Sequence, residues 1–177
     1  MQIQQPNVIM LLDELSRATA SANNLLLPQL DHRRMLPIEI ADSQHQREVK
    51  VHENLSFFAT ANIGGEYTGT MEMDEALLNR FNVVEMQYMS ESIEQLVLIK
   101  RTGIDKSDAE KISKFATELR TAAANEELSK GVSHRQTLSV ATKVHRGFTL
   151  EKSLLSIVAP KYIGSERQSV ISIIQKY

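Results

Sequence analysis

The chain has 177 residues, of which 42% are hydrophobic and 24% charged, with a formal net charge of −2. That supports one medium domain or two small ones with real cores, and the near-neutral balance supplies no global field toward nucleic acid or an anionic membrane. The absence of cysteine excludes a disulfide framework, a thiolate metal site and a catalytic thiol; with no bilayer-length apolar stretch and no signal-peptide pattern at the start, a cytoplasmic location is the expectation.

In chain order, Met1 to Pro6 leads into Asn7-Val8-Ile9-Met10-Leu11-Leu12-Asp13-Glu14. A short apolar run ending in two carboxylates reads as a buried parallel strand whose C-terminal tip faces the crevice where open α/β sheets bind ligands. Two such acids divide naturally in phosphate chemistry: Asp13 holds a hydrated Mg²⁺, and Glu14 positions the attacking water. The same pattern also marks a strand giving way to a solvated loop. No G-x-x-x-x-G-K-[ST] run occurs, so the sequence contains no phosphate cradle of that kind.

Residues 16–30 read as a helix that Pro28 should end or kink near Leu27. Met35–Ile40 and Glu48–His52 alternate as a hairpin with a long polar tip over 41–46. Leu55 to Asn62 is a second apolar strand, and it would present Asn62 at the same edge as Asp13 and Glu14, where an amide can orient water or touch a phosphate oxygen. An Asn after a strand is also an ordinary turn former. A glycine-containing loop, Ile63 to Thr70, leads to a short helix over 74–81 capped by Asp74, and 82–89 reads as a third strand.

From Ser90 the pattern turns helical, which sets a domain boundary at about Met89. The first helix, from Ser90 to Arg101, places Ile93, Leu96, Val97 and Ile99 on its apolar side and stops at Gly103. Ser107 and Glu110 have capping-box spacing for a second helix reaching about Leu128. A third follows Ser133 to about Arg146, and Thr149 and Ser165 are expected caps for two more, the last with Gln168 completing a box.

Together, Val8–Ala18, Phe57–Asn62 and Glu66-Tyr67-x-Gly69-Thr70 followed by Leu78-Asn79-Arg80-Phe81 resemble the second half of an AAA-plus ATPase, in the branch of MoxR, CbbQ, NorQ and GvpN proteins. The resemblance implies an α/β fold, a partial AAA-plus core over 1–89 without the P-loop strand and helix, followed by an all-α lid over 90–177. It implies Asp13 and Glu14 as Walker B, with Asp13 the metal ligand, Asn62 as sensor 1 and Arg80 as the arginine finger. Arg135, in Ser133-His134-Arg135 near the start of the third lid helix, matches sensor 2. A guanidinium spreads charge over phosphate oxygens during transfer, which suits Arg80. An arginine ending a short helix equally well satisfies that helix's last carbonyls. A cation at a helix start is unfavourable without an anion, which favours a phosphate partner for Arg135, although a solvent-exposed arginine would tolerate the penalty.

The implied cofactors are ATP and Mg²⁺; the implied assembly is a homo-oligomeric ring, a hexamer, acting on an unnamed protein client, with no membrane or nucleic-acid role indicated. The parent protein is then an ATPase that remodels a protein or assembly, while the isolated chain binds ATP poorly and is inactive. The alternative is a non-catalytic assembly or binding module, or a subunit that supplies an arginine finger in trans. In the resembled fold the P-loop strand lies mid-sheet, so without it this chain is expected to expose apolar surface and to self-associate.

Overall fold

The computed structural model describes residues 2–38, 48–62 and 73–177. These fall into two compact units, Met1–Glu85 and Met86–Tyr177.

The first unit is mixed α/β, with β1 (Ile9–Leu12), α1 (Ala20–Leu30), β2 (Met35–Pro37), β3 (Glu48–Lys50), β4 (Ser56–Ala59) and α2 (Glu75–Leu78). The parallel pair β1–β4 aligns Ile9 with Ser56 and Leu12 with Ala59, so both strands end level. β2 and β3 form the antiparallel hairpin; its expected tip at 41–46 and the Glu66-to-Thr70 segment lie outside the described residues. Because side chains alternate along a strand, Met10 and Phe57 turn inward against a core of Ile3, Val49, Val51 and Leu55. On the opposite face Ile9, Leu11 and Phe58 remain 70%, 61% and 57% exposed. A parallel sheet normally buries both faces, so this apolar face is the unusual one.

Two sequence expectations change here. Leu15–Arg17 forms a 3₁₀ turn, and α1 begins only at Ala20, capped by the Thr19 hydroxyl, which accepts from the Ala22 N–H. The helix then runs through Pro28 to Leu30, closing with the Asp31 N–H on the Leu27 carbonyl. One backbone donor is lost so close to the C-terminus that the last turn survives. Residues 82–89 form no strand among the described residues, and Val83, Val84 and Met86 are exposed. A strand is defined by its ladder partner, which β-rich composition alone cannot provide.

The second unit is a helical bundle of α3 (Glu91–Thr102), α4 (Lys106–Ala124), α5 (His134–His145), α6 (Leu150–Ile157) and α7 (Gly164–Ile174). Leu98, Ile112, Phe115, Leu119, Val140 and Leu154 centre its core. Gly103 ends α3 at φ 76°, the left-handed position glycine favours. The apolar face expected for α3 is rotated: Ile93 and Leu96 are exposed, while Leu98 and the charged Glu94 are fully buried.

Two capping boxes are not formed. α4 starts at Lys106, with Asp105 as its cap residue and no side-chain cap bond, so Ser107 already has helical geometry; Glu110 instead pairs with Lys114 at 2.8 Å. α7 starts at Gly164, and the carboxylate in its first turn, Glu166, binds the Ser129 N–H and hydroxyl at 2.9 and 2.8 Å. A full box occurs at Ser133–Gln136, opening α5.

Candidate functional site

The level ends of β1 and β4 put Asp13, Glu14, Thr60 and Asn62 at one edge. Thr60 ties them together. Its N–H donates to the Leu12 carbonyl at 3.0 Å and its carbonyl accepts the Leu15 N–H at 2.8 Å. Its hydroxyl accepts the Glu14 N–H at 2.9 Å and donates to Asp13 Oδ1 at 2.5 Å. Glu14 occupies the left-handed region, φ 54° and ψ 43°, which costs a residue with a Cβ about 1–2 kcal/mol, and these bonds hold it there. Two residues further on, the buried Ser16 accepts the Asn62 N–H on its hydroxyl at 3.2 Å, so the chain after β4 is braced against the chain after β1 at both Thr60 and Asn62.

Asp13 and Glu14 are exposed at this tip. Among the described residues Oδ2 of Asp13 takes no hydrogen bond, leaving one hard oxygen donor. The Glu14 carboxylate is paired with Arg17, Nε to Oε2 2.8 Å, with both side chains 56% exposed. An ion pair at that exposure is weak, so it orients Glu14 without locking it. No group of three or more His, Cys, Asp or Glu gathers among the described residues. A single carboxylate oxygen with retained waters is a donor set of the kind a hydrated Mg²⁺ accepts. The sequence contains no G-x-x-x-x-G-K-[ST] run.

Arg80 follows α2 and turns back on its own unit. Its Nη1 donates to the Ala76 carbonyl, Nη2 lies 3.8 Å from Asp31 Oδ2, and Nε is buried with no hydrogen-bond partner among the described residues. Asp31 is gripped by Arg33, Nη2 to Oδ2 2.6 Å, and this hydrogen bond holds its carboxyl down at about 2. Arg80 thus has the helix-closing contact that the sequence left open as one of its two uses.

In the second unit Arg135 is exposed at the second position of α5. Beside that first turn lies the buried Glu94 carboxylate. It accepts from both Arg120 terminal nitrogens at 2.6 and 3.0 Å and from the Thr137 hydroxyl at 2.7 Å, and it lies 3.3 Å from His134 Nδ1. Burial opposes ionisation of Glu94, but Arg120, Thr137 and His134 outweigh it and keep its carboxyl below the ordinary value. The Arg120 guanidinium also stacks 4.4 Å from the Tyr88 ring. The start of α5 therefore already has an internal anion, and the argument that Arg135 needs a phosphate to offset the helix dipole loses force.

The sequence reading missed Thr60, Ser16 and Glu94. A threonine two positions before Asn62 was the available signal for the first, since alternate residues at a strand end share a side. Nothing local marks a glutamate as buried.

The chain is similar to known proteins along both units. Residues 2–81 match a family model described as AAA domain, dynein-related subfamily, and residues 94–162 one described as CbbQ/NirQ/NorQ C-terminal. A protein named "Putative chaperone BssE" from Thauera aromatica is 34% identical over 154 residues, covering 86% of this chain and 51% of that protein. Uncharacterized proteins of Staphylococcus epidermidis and Staphylococcus haemolyticus are each 26% identical over 164 residues, 92% of this chain and 60% of theirs. The chain thus spans between about half and three-fifths of the length of these relatives.

Proposed function

The chain belongs to the AAA-plus family, in its MoxR/CbbQ-like branch, and on that premise we propose that it carries the Walker B, sensor 1 and lid parts of an ATPase that remodels a protein client. The family uses ATP and Mg²⁺ and typically works as oligomeric rings; for this protein we infer a homo-hexamer. Asp13 would hold a hydrated Mg²⁺ through Oδ2, which takes no hydrogen bond among the described residues. Glu14, released from Arg17, orients and deprotonates the attacking water, and the Asn62 amide holds that water in line. Arg80 serves the site of a neighbouring copy after leaving Asp31 and the Ala76 carbonyl. Arg135 acts as sensor 2 from the lid. The bound nucleotide supplies the phosphoanhydride whose cleavage drives the work. A client protein is suggested by the BssE relative's printed name.

The observation that carries this reading is the parallel β1–β4 pair, whose level ends bring the two acids and Asn62 to a single edge. Because the sequence has no G-x-x-x-x-G-K-[ST] run, the chain alone is expected to bind ATP weakly. Tight Mg²⁺-dependent binding in calorimetry contradicts that. Turnover is expected once the chain is joined to, or mixed with, a polypeptide carrying such a run, and Glu14→Gln should then lower it about a hundredfold. Undiminished turnover in both Asp13→Asn and Glu14→Gln refutes the proposal.

The missing G-x-x-x-x-G-K-[ST] run also supports a second reading, an assembly module, which the inward-turned Arg80 favours, or a subunit that lends its arginine in trans. It predicts that Arg80→Ala lowers hydrolysis by a cradle-bearing partner while Glu14→Gln leaves it unchanged.

A further inference from the structure

The four contacts made by Thr60 lie outside any role assigned so far. Two are main-chain ladder bonds that any residue would form. The other two use the hydroxyl, which accepts the Glu14 N–H and donates to Asp13 Oδ1. With the Glu14 amide occupying one lone pair, the hydroxyl proton is directed at the carboxylate, and each bond polarises the other. We propose that Thr60 is the positioning residue of the acidic tip: its hydroxyl fixes Oδ1 of Asp13, leaving Oδ2 to face a hydrated divalent cation, and pins Glu14 in its left-handed conformation.

This rests on the reading of Asp13 and Glu14 as the metal- and water-handling pair, but it concerns a group on the other strand. A displacement of β4 would reach both acids through Thr60, because a single side chain spans them. Ser16 braces the same two segments through the Asn62 N–H, yet it touches neither carboxylate. Valine in place of Thr60 keeps the shape and the β-branch of this exposed residue while deleting the hydroxyl; serine keeps the hydroxyl.

The test begins on this chain without nucleotide. Amide hydrogen exchange is read residue by residue in the wild type, Thr60→Val and Thr60→Ser. In Thr60→Val the Glu14 amide should exchange at least about tenfold faster, while the Leu15 amide, bound to the Thr60 carbonyl, changes less than about twofold. Thr60→Ser should restore the Glu14 rate. The second measurement is the Mg²⁺ concentration for half-maximal ATP hydrolysis with the cradle-bearing polypeptide. It should rise about tenfold in Thr60→Val and return in Thr60→Ser, the order a charge-assisted hydrogen bond supports.

An unchanged Glu14 rate in Thr60→Val overturns the proposal. So does faster exchange with an unaltered Mg²⁺ requirement, since the hydroxyl would then support only the backbone. If Asp13→Asn and Glu14→Gln leave turnover intact, the ATPase reading fails instead, and the exchange rates still report whether Thr60 holds the tip.

Discussion

Glu94→Ala tests whether the helical unit is held together by a buried ionic cluster. The carboxylate is fully buried and faces Arg120, whose side chain is only 9% exposed, with hydrogen bonds of 2.6 and 3.0 Å between them. Removing one partner of such a pair leaves a nearly buried cation uncompensated, which costs about 3–5 kcal/mol. Thr137 and His134 lose their contact in the same step. For a unit of this size that corresponds to a fall in Tm of roughly 15–30 °C. Denaturant unfolding followed by far-UV circular dichroism reads the change.

Glu94→Leu with Arg120→Met should recover more than half of the loss, because it removes the stranded charge; recovery stays incomplete because the Val132 carbonyl loses the Arg120 Nε donor at 2.9 Å. Acid adds an independent check. The folded carboxyl lies below the ordinary glutamate value of 4.5, so its stabilisation is fully present above that pH and disappears as pH falls beneath it. Glu94→Gln should therefore show a shallower acid dependence than wild type below pH 4.5. A loss under about 1 kcal/mol in Glu94→Ala would mean that the cluster breaks even against solvation and that apolar packing alone specifies the bundle.

Gly131→Ala should destabilise the same unit by about 1–3 kcal/mol in the same unfolding assay. A Cβ there would meet Arg120 Cγ at 3.0 Å and, more stubbornly, its Cα at 3.1 Å; because Arg120 also holds Glu94, the loss should be non-additive with Glu94→Ala, and strict additivity would separate the two. The uncovered face of β1–β4 predicts concentration-dependent self-association of the chain in sedimentation velocity. Leu11→Glu, on an exposed position of that face, should reduce it, and a concentration-independent monomer in the wild type would contradict the expectation.

The α/β unit followed by a helical bundle was legible because its signals are local. β1 and β4 are short apolar runs bounded by polar residues; Asp74, Ser133 and Thr149 each cap a helix through a side-chain oxygen. What failed was decided at a distance. Ser107 and Ser133 both precede an acid or amide by three residues, but α4 begins one residue before Ser107, which leaves it unable to cap. The stretch 82–89 has strand composition, and composition cannot supply the strand beside it. Glu94 sits where helical periodicity marks a polar position, yet Arg120, 26 residues away, makes that position interior. At the site, the acids and Asn62 could be placed at one edge from strand direction alone, whereas their tether required the register in which Leu12 meets Ala59.

That register also bears on how the two halves of the proposed chemistry differ. The Asp13 carboxylate and the Glu14 main chain are held by bonds from a neighbouring strand, so their geometry is set before any ligand arrives, which is the condition under which fixed dipoles contribute most to a transition state. The Glu14 carboxylate and Arg80 are oriented otherwise, by an exposed Arg17 on one side and by a helix carbonyl and a carboxylate 3.8 Å away on the other. Such contacts are readily exchanged for others. A site assembled between copies needs this combination: an acidic tip that stays where its strands put it, and charged groups that leave their resting partners only when a neighbour and a polyphosphate offer better ones. In the proposed chemistry the backbone would fix where the cation is met, and the exchangeable side chains would fix when hydrolysis follows.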